Sequence, residues 1–496
     1  MNDGFWYKAW QFALMFAVIA LLAASIIVQG QAVSPAEVRE IVAEEGGDGG
    51  GGTTGWPVDQ SIRPELMSVS QLDEAPSGEQ HSSTAPAVAA PITRTDQRIW
   101  NVSIESIEGV CPLDPANGIT TEMWGFRIAD EDEITCGTPG PVLRGRVGDV
   151  VNITLTNLPD NQRPHNIDFH AVTGQGGGAA DLTVAPGETA TIQIRLLYPG
   201  AFMYHCAFGD VPMHIAHGMV GMFIVDPETP LPEVDREWAI MQSEWYVGEA
   251  ASDGVAPYDP DALFNEEPRF VTFNGRTDAL VGDNTLAMNV GERARIYFVN
   301  EGLNLDSNFH PIGSQWDLVY PEAATHSANR VIRGSQSTLV VAGGGTVVEL
   351  DALVPSTVIL VDHALVRTFY KGAIGTIVIS GDANPELFSA TGGSPDPEPP
   401  ADDGSSASNG QTLFSQTCTA CHGEGGVGVD GLGPPLIENV FVAGLSDDEL
   451  VAFLTVGRPV DHPDNTTGVA MPPKGGNVSL TTEDLEDIAA YLRELG

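Results

Sequence analysis

The stretch YHCAFGDVPMHIAHGM at residues 204–219 sets His205 directly beside Cys206, then adds His214 and Met219 at the spacing C-x7-H-x4-M. Thiolate, imidazole and a weak axial thioether are the ligands of a blue-copper electron-transfer site, and His165 in RPHNIDFH can complete the set from an earlier segment. Met213 and Met222 are alternative sulfur donors, but both sit where an apolar core residue is expected, so Met219 is preferred. Neighbours on a β-strand project to opposite faces, so His205 cannot serve the same metal as Cys206. The same parity, applied to an extended strand, separates His165 from His170. His170 and His205 are then left together on a second face, which Asp168 shares. Two histidines make a poor metal site, and a third ligand must come from elsewhere. His363 in LVDHALVRTF and His310 in NFHPIG follow apolar strands later in the chain. His81, His326 and His462 read as surface residues, and His217 as non-ligating.

CTACH at 418–422 is C-x-x-C-H, the attachment pattern of c-type haem. Cys418 and Cys421 can each form a thioether with a vinyl-derived carbon, while His422 supplies an iron ligand. A redox C-x-x-C pair or half of a zinc site leaves the adjacent histidine unexplained. The sixth ligand is assigned to Met471 in VAMPPKGG, whose thioether would raise the haem potential.

Three kinds of frame are needed to hold these residues. From about Arg98 to Gly381, short alternating apolar runs such as VVNITLTNL, TATIQIRLL and ARIYFVN are separated by Gly, Pro, Asn and Asp turns, an all-β signature. Within it GPVLRGRVGDVVNITLTN is echoed by NTLAMNVGERARIYFVN, each a strand, a Gly-acid turn, a strand and a closing Asn, which points to two successive barrels. After Ser389 an acidic, Pro-rich linker leads to a helical tail, where LTTEDLEDIAAYLREL has helical period behind a Thr481 cap with Asp484, and SDDELVAFL starts the same way with Ser446 and Glu449. Ahead of the barrels, residues 34–95 show no sustained apolar period and read as a tether. Trp10 to Val28 is an uncharged, mostly apolar run long enough to cross a bilayer, with a cleaved signal peptide as the competing reading. The chain carries 22 Lys+Arg against 67 Asp+Glu, a net charge of −45 over 496 residues. Such a surface repels a phosphate backbone and excludes a nucleic-acid role.

On these motifs, residues 98–385 resemble a copper-containing nitrite reductase: PHNIDFHAVTGQGGGAA, YHCAFGDVPMHIAHGM, SNFHPIG and LVDHALVRTFYKGAIG are close to that family's motifs and in order. The resemblance implies type 1 copper on His165, Cys206, His214 and Met219, and type 2 copper on His170, His205 and His363. It further implies Asp168 and His310 as the catalytic, proton-handling pair, Ile312 shaping the substrate pocket, and a homotrimer in which the third histidine comes from the adjacent subunit. The tail resembles class I cytochromes c. Haem attachment of that kind occurs outside the cytoplasm, so the catalytic domains are expected on the periplasmic or extracytoplasmic face, anchored to the membrane by the N-terminal helix.

The expected fold class is therefore mainly β: two tandem cupredoxin-like Greek-key β-barrels followed by a small all-α cytochrome c domain. The expected order is an anchor or signal segment (1–30), a flexible linker (31–97), cupredoxin domains at 98–230 and 231–385, an acidic linker (386–408) and the cytochrome c domain (409–496). The implied reaction is one-electron reduction of nitrite to nitric oxide and water, with electrons from an unidentified cytochrome or cupredoxin donor passing through the haem c and the type 1 copper to the type 2 copper. Its two protons predict a rate that falls as pH rises above neutrality. A two-domain multicopper oxidase is the nearest rival, but it needs His-x-His pairs, and the chain has none. A copper/haem electron carrier is the other; it would leave His170, His205 and His363 without a purpose. Cys111 and Cys136 precede the copper motifs in an exported chain and are expected to form a disulfide.

Overall fold

Residues Val150–Asn157, VVNITLTN, alternate buried and half-buried positions along an extended strand; Leu286–Asn289 and Ser307–Ile312 alternate likewise, whereas Val220–Asp226 and Arg293–Asn300 are buried almost throughout. In the computed structural model the described residues are 63–129, 136–389, 406–429, 431–460, 462–477 and 480–496. The apolar run from Trp10 to Val28 and residues 31–62 of the expected tether lie outside them.

The first barrel is built from β1 (Ser82–Ser83), β2 (Ile99–Asp114), β3 (Ile119–Ile128), β4 (Val142–Arg146), β5 (Val150–Asn157), β6 (Asp168–Phe169), β7 (Thr189–Arg195), β8 (Gly200–His205) and β9 (Val220–Asp226). They form two sheets, β1-β4-β9-β8-β6 and β3-β2-β5-β7, which close over a core containing Trp124, Phe169, Tyr204, Phe223 and also Cys206 and Met219. The second barrel runs from β10 (Arg236–Trp245) through β11 (Val255–Ala256), β12 (Phe270–Phe273), β13 (Leu286–Asn289), β14 (Arg293–Asn300), β15 (Ser307–Ile312), β16 (Trp316–Tyr320), β17 (Ile332–Ser335), β18 (Thr338–Val340), β19 (Gly345–Asp351) and β20 (Ser356–Asp362) to β21 (Ile374–Ser380). Its sheets are β12-β10-β14-β19-β16-β17 and β13-β21-β20-β15-β18, while β11 adds to the edge of the first barrel beside β3. The two echoing sequence runs become the same unit twice: β5 lies parallel to β2, and β14 lies parallel to β10. A third apolar cluster, with Ala201, Met222 and Ile224 from one barrel and Met241, Tyr297 and Val347 from the other, fills the seam between them. The buried Arg144 reaches Asp226 of its own barrel at 2.8 Å and, across the seam, Glu237 at 2.7 Å.

Four expectations need correction. Residues 63–97 are not a free linker. Ser82 and Ser83 pair with β4, and Ala89 and Ile92 are buried. Arg94 lies within 3.1 Å of Glu79 and also binds Asp149. This strap has no apolar period because polar pairs and a few scattered buried side chains hold it, a pattern that leaves no periodic trace. His81, read as a surface residue, stacks on Trp100 with ring centroids 4.1 Å apart and bonds the Arg144 carbonyl through Nδ1 at 2.9 Å. Residues 165–170 are not one strand, since His165 makes only an isolated bridge to Val184 and β6 is two residues long. Finally, Ser406 already begins the first helix of the tail, inside the expected linker.

The tail is helical as expected: α4 (Ser406–Thr417), α5 (Thr419–His422), α6 (Val440–Gly444), α7 (Asp447–Val456) and α8 (Thr482–Glu494), after three short helices in the barrels, α1 (Val211–Ala216), α2 (Pro260–Phe264) and α3 (Leu365–Lys371). Ser446 with Glu449 and Thr481 with Asp484 form reciprocal capping boxes, satisfying orphan amides at both helix starts. Leu450 and Leu454 of α7 and Leu485, Ile488 and Leu492 of α8 make the core of this unit with Phe414.

Candidate metal and haem sites

β8 ends at His205, and the chain turns at once into the loop and short helix α1 that carry His214. This brings His165, Cys206 and His214 together, with ligand atoms all within 4.8 Å of one another and all three residues buried. Sγ of Cys206 lies 3.2 Å from Nδ1 of His214 and 3.9 Å from Nδ1 of His165. Met219 is fully buried in the same core, and its carbonyl accepts the Cys206 amide at 3.1 Å. Met222 instead faces the seam between the barrels, while Met213 packs on the core from the partly buried side. The donor set suits a soft, copper-type site. Burial pushes the Cys206 thiol up to about 11 and, with His165 and His217 nearby, pushes His214 down to about 3. With the thiol protonated and the imidazoles neutral at pH 7, a metal must displace the thiol proton to bind.

Side chains the sequence reasoning passed over hold this cluster in place. Oδ1 of Asn166 accepts the Ala207 amide at 2.7 Å and lies 3.7 Å from the Cys206 sulfur. Trp124, fully buried, meets His214 edge-on at 4.9 Å and stacks on His217 at 3.8 Å. His217 bonds the Met213 carbonyl through Nδ1 at 2.7 Å and stays out of the ligand cluster. Only the Asn directly after His165 was adjacent enough in sequence to be noticed.

The second cluster is Asp168, His170 and His205, again with ligand atoms within 4.8 Å. Nε2 of His170 and Nε2 of His205 are 3.2 Å apart, close enough for one metal to take both. Nδ1 of His205 lies 3.1 Å from its neighbour's carbonyl, that of Cys206, so Nδ1 carries the proton and Nε2 is the free ligand atom. Burial and the facing His205 hold His170 below the ordinary histidine value. The glycine run of TGQGGGAA has its reason here: Gly177 has φ +55°, and a Cβ on it would sit 1.9 Å from Oδ1 of Asp168.

His310, Ile312 and His363 gather elsewhere, on the second barrel. His310 and Ile312 are two apart on β15 and share a face. His363 follows β20, its amide bonded to the Asn308 carbonyl at 2.8 Å, and its ring lies 5.1 Å from that of His310. Asp362, fully buried, fixes this turn by accepting the amides of Asn308 and Ala364 at 3.1 Å and Arg367 at 2.7 Å. Nδ1 of His310 bonds the Gln336 carbonyl, which leaves Nε2 as its free atom. Among the described residues His363 joins no ligand cluster within this one chain.

In the helical unit an apolar crevice is lined by Phe414, Leu450, Leu454, Cys418, Cys421, His422 and Met471. Nδ1 of His422 donates to the Pro434 carbonyl at 2.8 Å, which fixes the ring and leaves Nε2 for iron. Gly433 permits that approach, since a Cβ there would lie 2.3 Å from the Cys421 carbonyl and 3.2 Å from His422 Nδ1. The crevice, two thiols and two axial donors fit a covalently held haem. Away from all these sites, Cys111 and Cys136 are bonded, tying β2 to the segment after β3.

Residues 113–229 match a family model described as multicopper oxidase, and residues 405–492 match one described as cytochrome C oxidase, cbb3-type, subunit III. The copper-containing nitrite reductase of Neisseria meningitidis serogroup A is 41% identical over 305 residues, 61% of this chain and 75% of that protein. That of Cereibacter sphaeroides is 32% identical over 270 residues, 50% of this chain and 71% of that protein. The chain belongs to the copper-containing nitrite reductase family. A solved relative, the copper nitrite reductase from Nitrosomonas europaea, superposes with a TM-score of 0.50 at 34% identity, covering 58% of this chain and 96% of its own. The family's part of the chain is thus the two barrels, and the helical tail is matched separately as a cytochrome.

Proposed function

We propose that this chain is an exported, membrane-anchored homotrimer that reduces nitrite by one electron, NO2− + e− + 2H+ → NO + H2O, with a fused haem domain on its electron path. Membership of the copper-containing nitrite reductase family makes the chain an enzyme of nitrite reduction at copper. His165, Cys206, His214 and Met219 would hold type 1 copper, and His170, His205 and His363 type 2 copper. Cys418 and Cys421 would hold the haem, with His422 and Met471 at the iron. When bound, these groups supply one-electron couples and, at the type 2 site, a Lewis acid for the nitrite oxygens.

The observation that carries the reading is that His205 and Cys206, consecutive in sequence, belong to two different ligand clusters. One peptide unit gives an electron a covalent route between the sites. Asp168 places a carboxylate oxygen among the ligand atoms of His170 and His205, where it can hold or release a proton beside bound nitrite. His310, anchored through Nδ1, offers Nε2 for the second proton, and Ile312 on the same strand face narrows the approach. Asp168 with its two histidines and His310 with His363 are separate half-sites on one chain. A heterologous, ring-closing interface would join the first half of one subunit to the second half of the next.

The decisive experiment is His363→Ala. The variant is expected to keep its blue absorption and lose type 2 copper, by metal analysis and EPR, together with nitrite turnover. Unchanged turnover would remove His363 from the catalytic site and overturn the type 2 assignment. Stopped-flow reduction of the haem followed by nitrite tests its place on the path: haem that stays reduced while nitric oxide forms removes it.

A further inference from the structure

Glu108 does not belong to any of the ligand sets, yet it touches one of them. It lies on β2, paired with Trp124 of β3. Its Oε1 is 3.0 Å from Nε2 of His165, whose other ring nitrogen faces Cys206. A histidine that binds metal through Nδ1 carries its proton on Nε2, so His165 donates and Glu108 accepts. The rest of the carboxylate is also engaged. Oε1 accepts the Arg163 amide at 3.0 Å, and Oε2 accepts the Gln162 amide at 3.1 Å and Arg163 Nη1 at 3.3 Å. Arg163 in turn lies with its guanidinium carbon 4.2 Å above the Trp124 ring, the ring that meets His214. His165 is fully buried and the Glu108 side chain is 8% exposed, so water does little to screen the pair.

We propose that Glu108 is a positioning residue for the type 1 copper: it locks the His165 ring and lowers the reduction potential of the metal, with Arg163 as the opposing charge. The inference rests on the type 1 assignment above. A carboxylate accepting Nε2–H makes imidazole a stronger electron donor than a carbonyl acceptor would, and a stronger donor favours the cupric state. Arg163 draws the carboxylate's charge away from His165, so it moderates the effect. The potential of the site is therefore written partly on β2, some 57 residues before the ligand it acts on.

The test is a redox titration of the copper-loaded full chain against a mediator of fixed potential, read from the blue band. Glu108→Gln is expected to keep that band and to lower the Cu(II)/Cu(I) ratio about tenfold, about 59 mV for a one-electron couple. Arg163→Gln should move the ratio the other way, about threefold by the same scale. Glu122→Gln is the charge control. Glu122 is 2.9 Å from Trp124 Nε1 and 3.4 Å from Arg163 but does not touch His165, so its ratio should change less than about twofold. A ratio unmoved by Glu108→Gln, or moved equally by Glu122→Gln, overturns the proposal. If Glu108→Gln fails to fold, an unshifted Arg163→Gln overturns it instead. A wild-type protein that binds copper without a blue band overturns the type 1 assignment itself, an outcome distinct from a blue protein whose potential does not respond.

Discussion

In the first barrel, Asn157 at the end of β5 donates through Nδ2 to the carbonyls of Arg163 and Val184 at 2.8 and 3.1 Å. In the second, Asn300 at the end of β14 donates to those of Leu305 and Val340 at the same two distances. Both amides are fully buried. The two barrels share this closing device and differ in what lies inside. The first carries Cys206, His165, His214 and Met219 in or against its core. The second is filled with aromatics: Phe309 stacks on Phe298 at 4.2 Å and on Trp316 at 5.0 Å. A duplicated frame can thus keep its hydrogen-bonded joints while one copy exchanges apolar packing for ligands. The exchange leaves neutral donors in a dry site, a thiol raised and an imidazole lowered, until a metal compensates.

The comparison can be broken most severely from the metal side. Cys206→Ser is expected to abolish the blue absorption and cut nitrite turnover by at least about 100-fold, roughly the loss of one essential relay, while leaving the second barrel folded by circular dichroism. Phe309→Ala in the second barrel should do the reverse. It costs about 3–5 kcal/mol of stability by cavity formation and leaves the blue band unchanged; a bleached spectrum would show that the barrels are not independent interiors. The shared device gives a smaller, symmetric effect. Asn157→Ala and Asn300→Ala should each cost about 1–3 kcal/mol through unpaired buried carbonyls, measured by denaturant unfolding, and unequal losses would argue against equivalent roles.

A comparable effect is expected on pH. His165, His214 and His217 of the first barrel are all held below the ordinary histidine value of 6.5, chiefly by burial. The unfolded chain then binds protons that the folded chain refuses, so the stability of the metal-free protein is complete above pH 6.5 and is lost as pH falls below it. Thermal melts of the apoprotein should report a loss of at least about 2 kcal/mol of stability between pH 7 and pH 5, most of it traceable to His214. A flat profile would mean these imidazoles are not buried neutral.

Much of this was legible beforehand because the chemistry is local. The C-x7-H-x4-M spacing, the C-x-x-C-H motif, both capping boxes and the repeated strand-turn-strand-Asn runs each lie within a couple of dozen residues. What escaped was non-periodic or non-local. The strap of residues 63–97 gave no apolar rhythm, since Arg94 with Asp149 and His81 with Trp100 are contacts with distant strands. Residues 165–170 do not form one strand, because His165 makes only an isolated bridge to Val184 and β6 is two residues long. Glu108 was invisible because its contacts near His165 are long-range: its amide bonds Asn161 Oδ1, and its carboxylate accepts the amides of Gln162 and Arg163.

The sequence by itself separated His205 from Cys206, because neighbours on a strand project to opposite faces, and it carried the C-x-x-C-H pattern of haem attachment. Tertiary structure alone decided how the site residues are held: it set Trp124 against His214 and His217, brought the His310 and His363 rings to 5.1 Å, and placed Glu108 behind His165. Such choices depend on strand register and barrel closure, and these are fixed by the burial of a whole core rather than by the spacing of any motif.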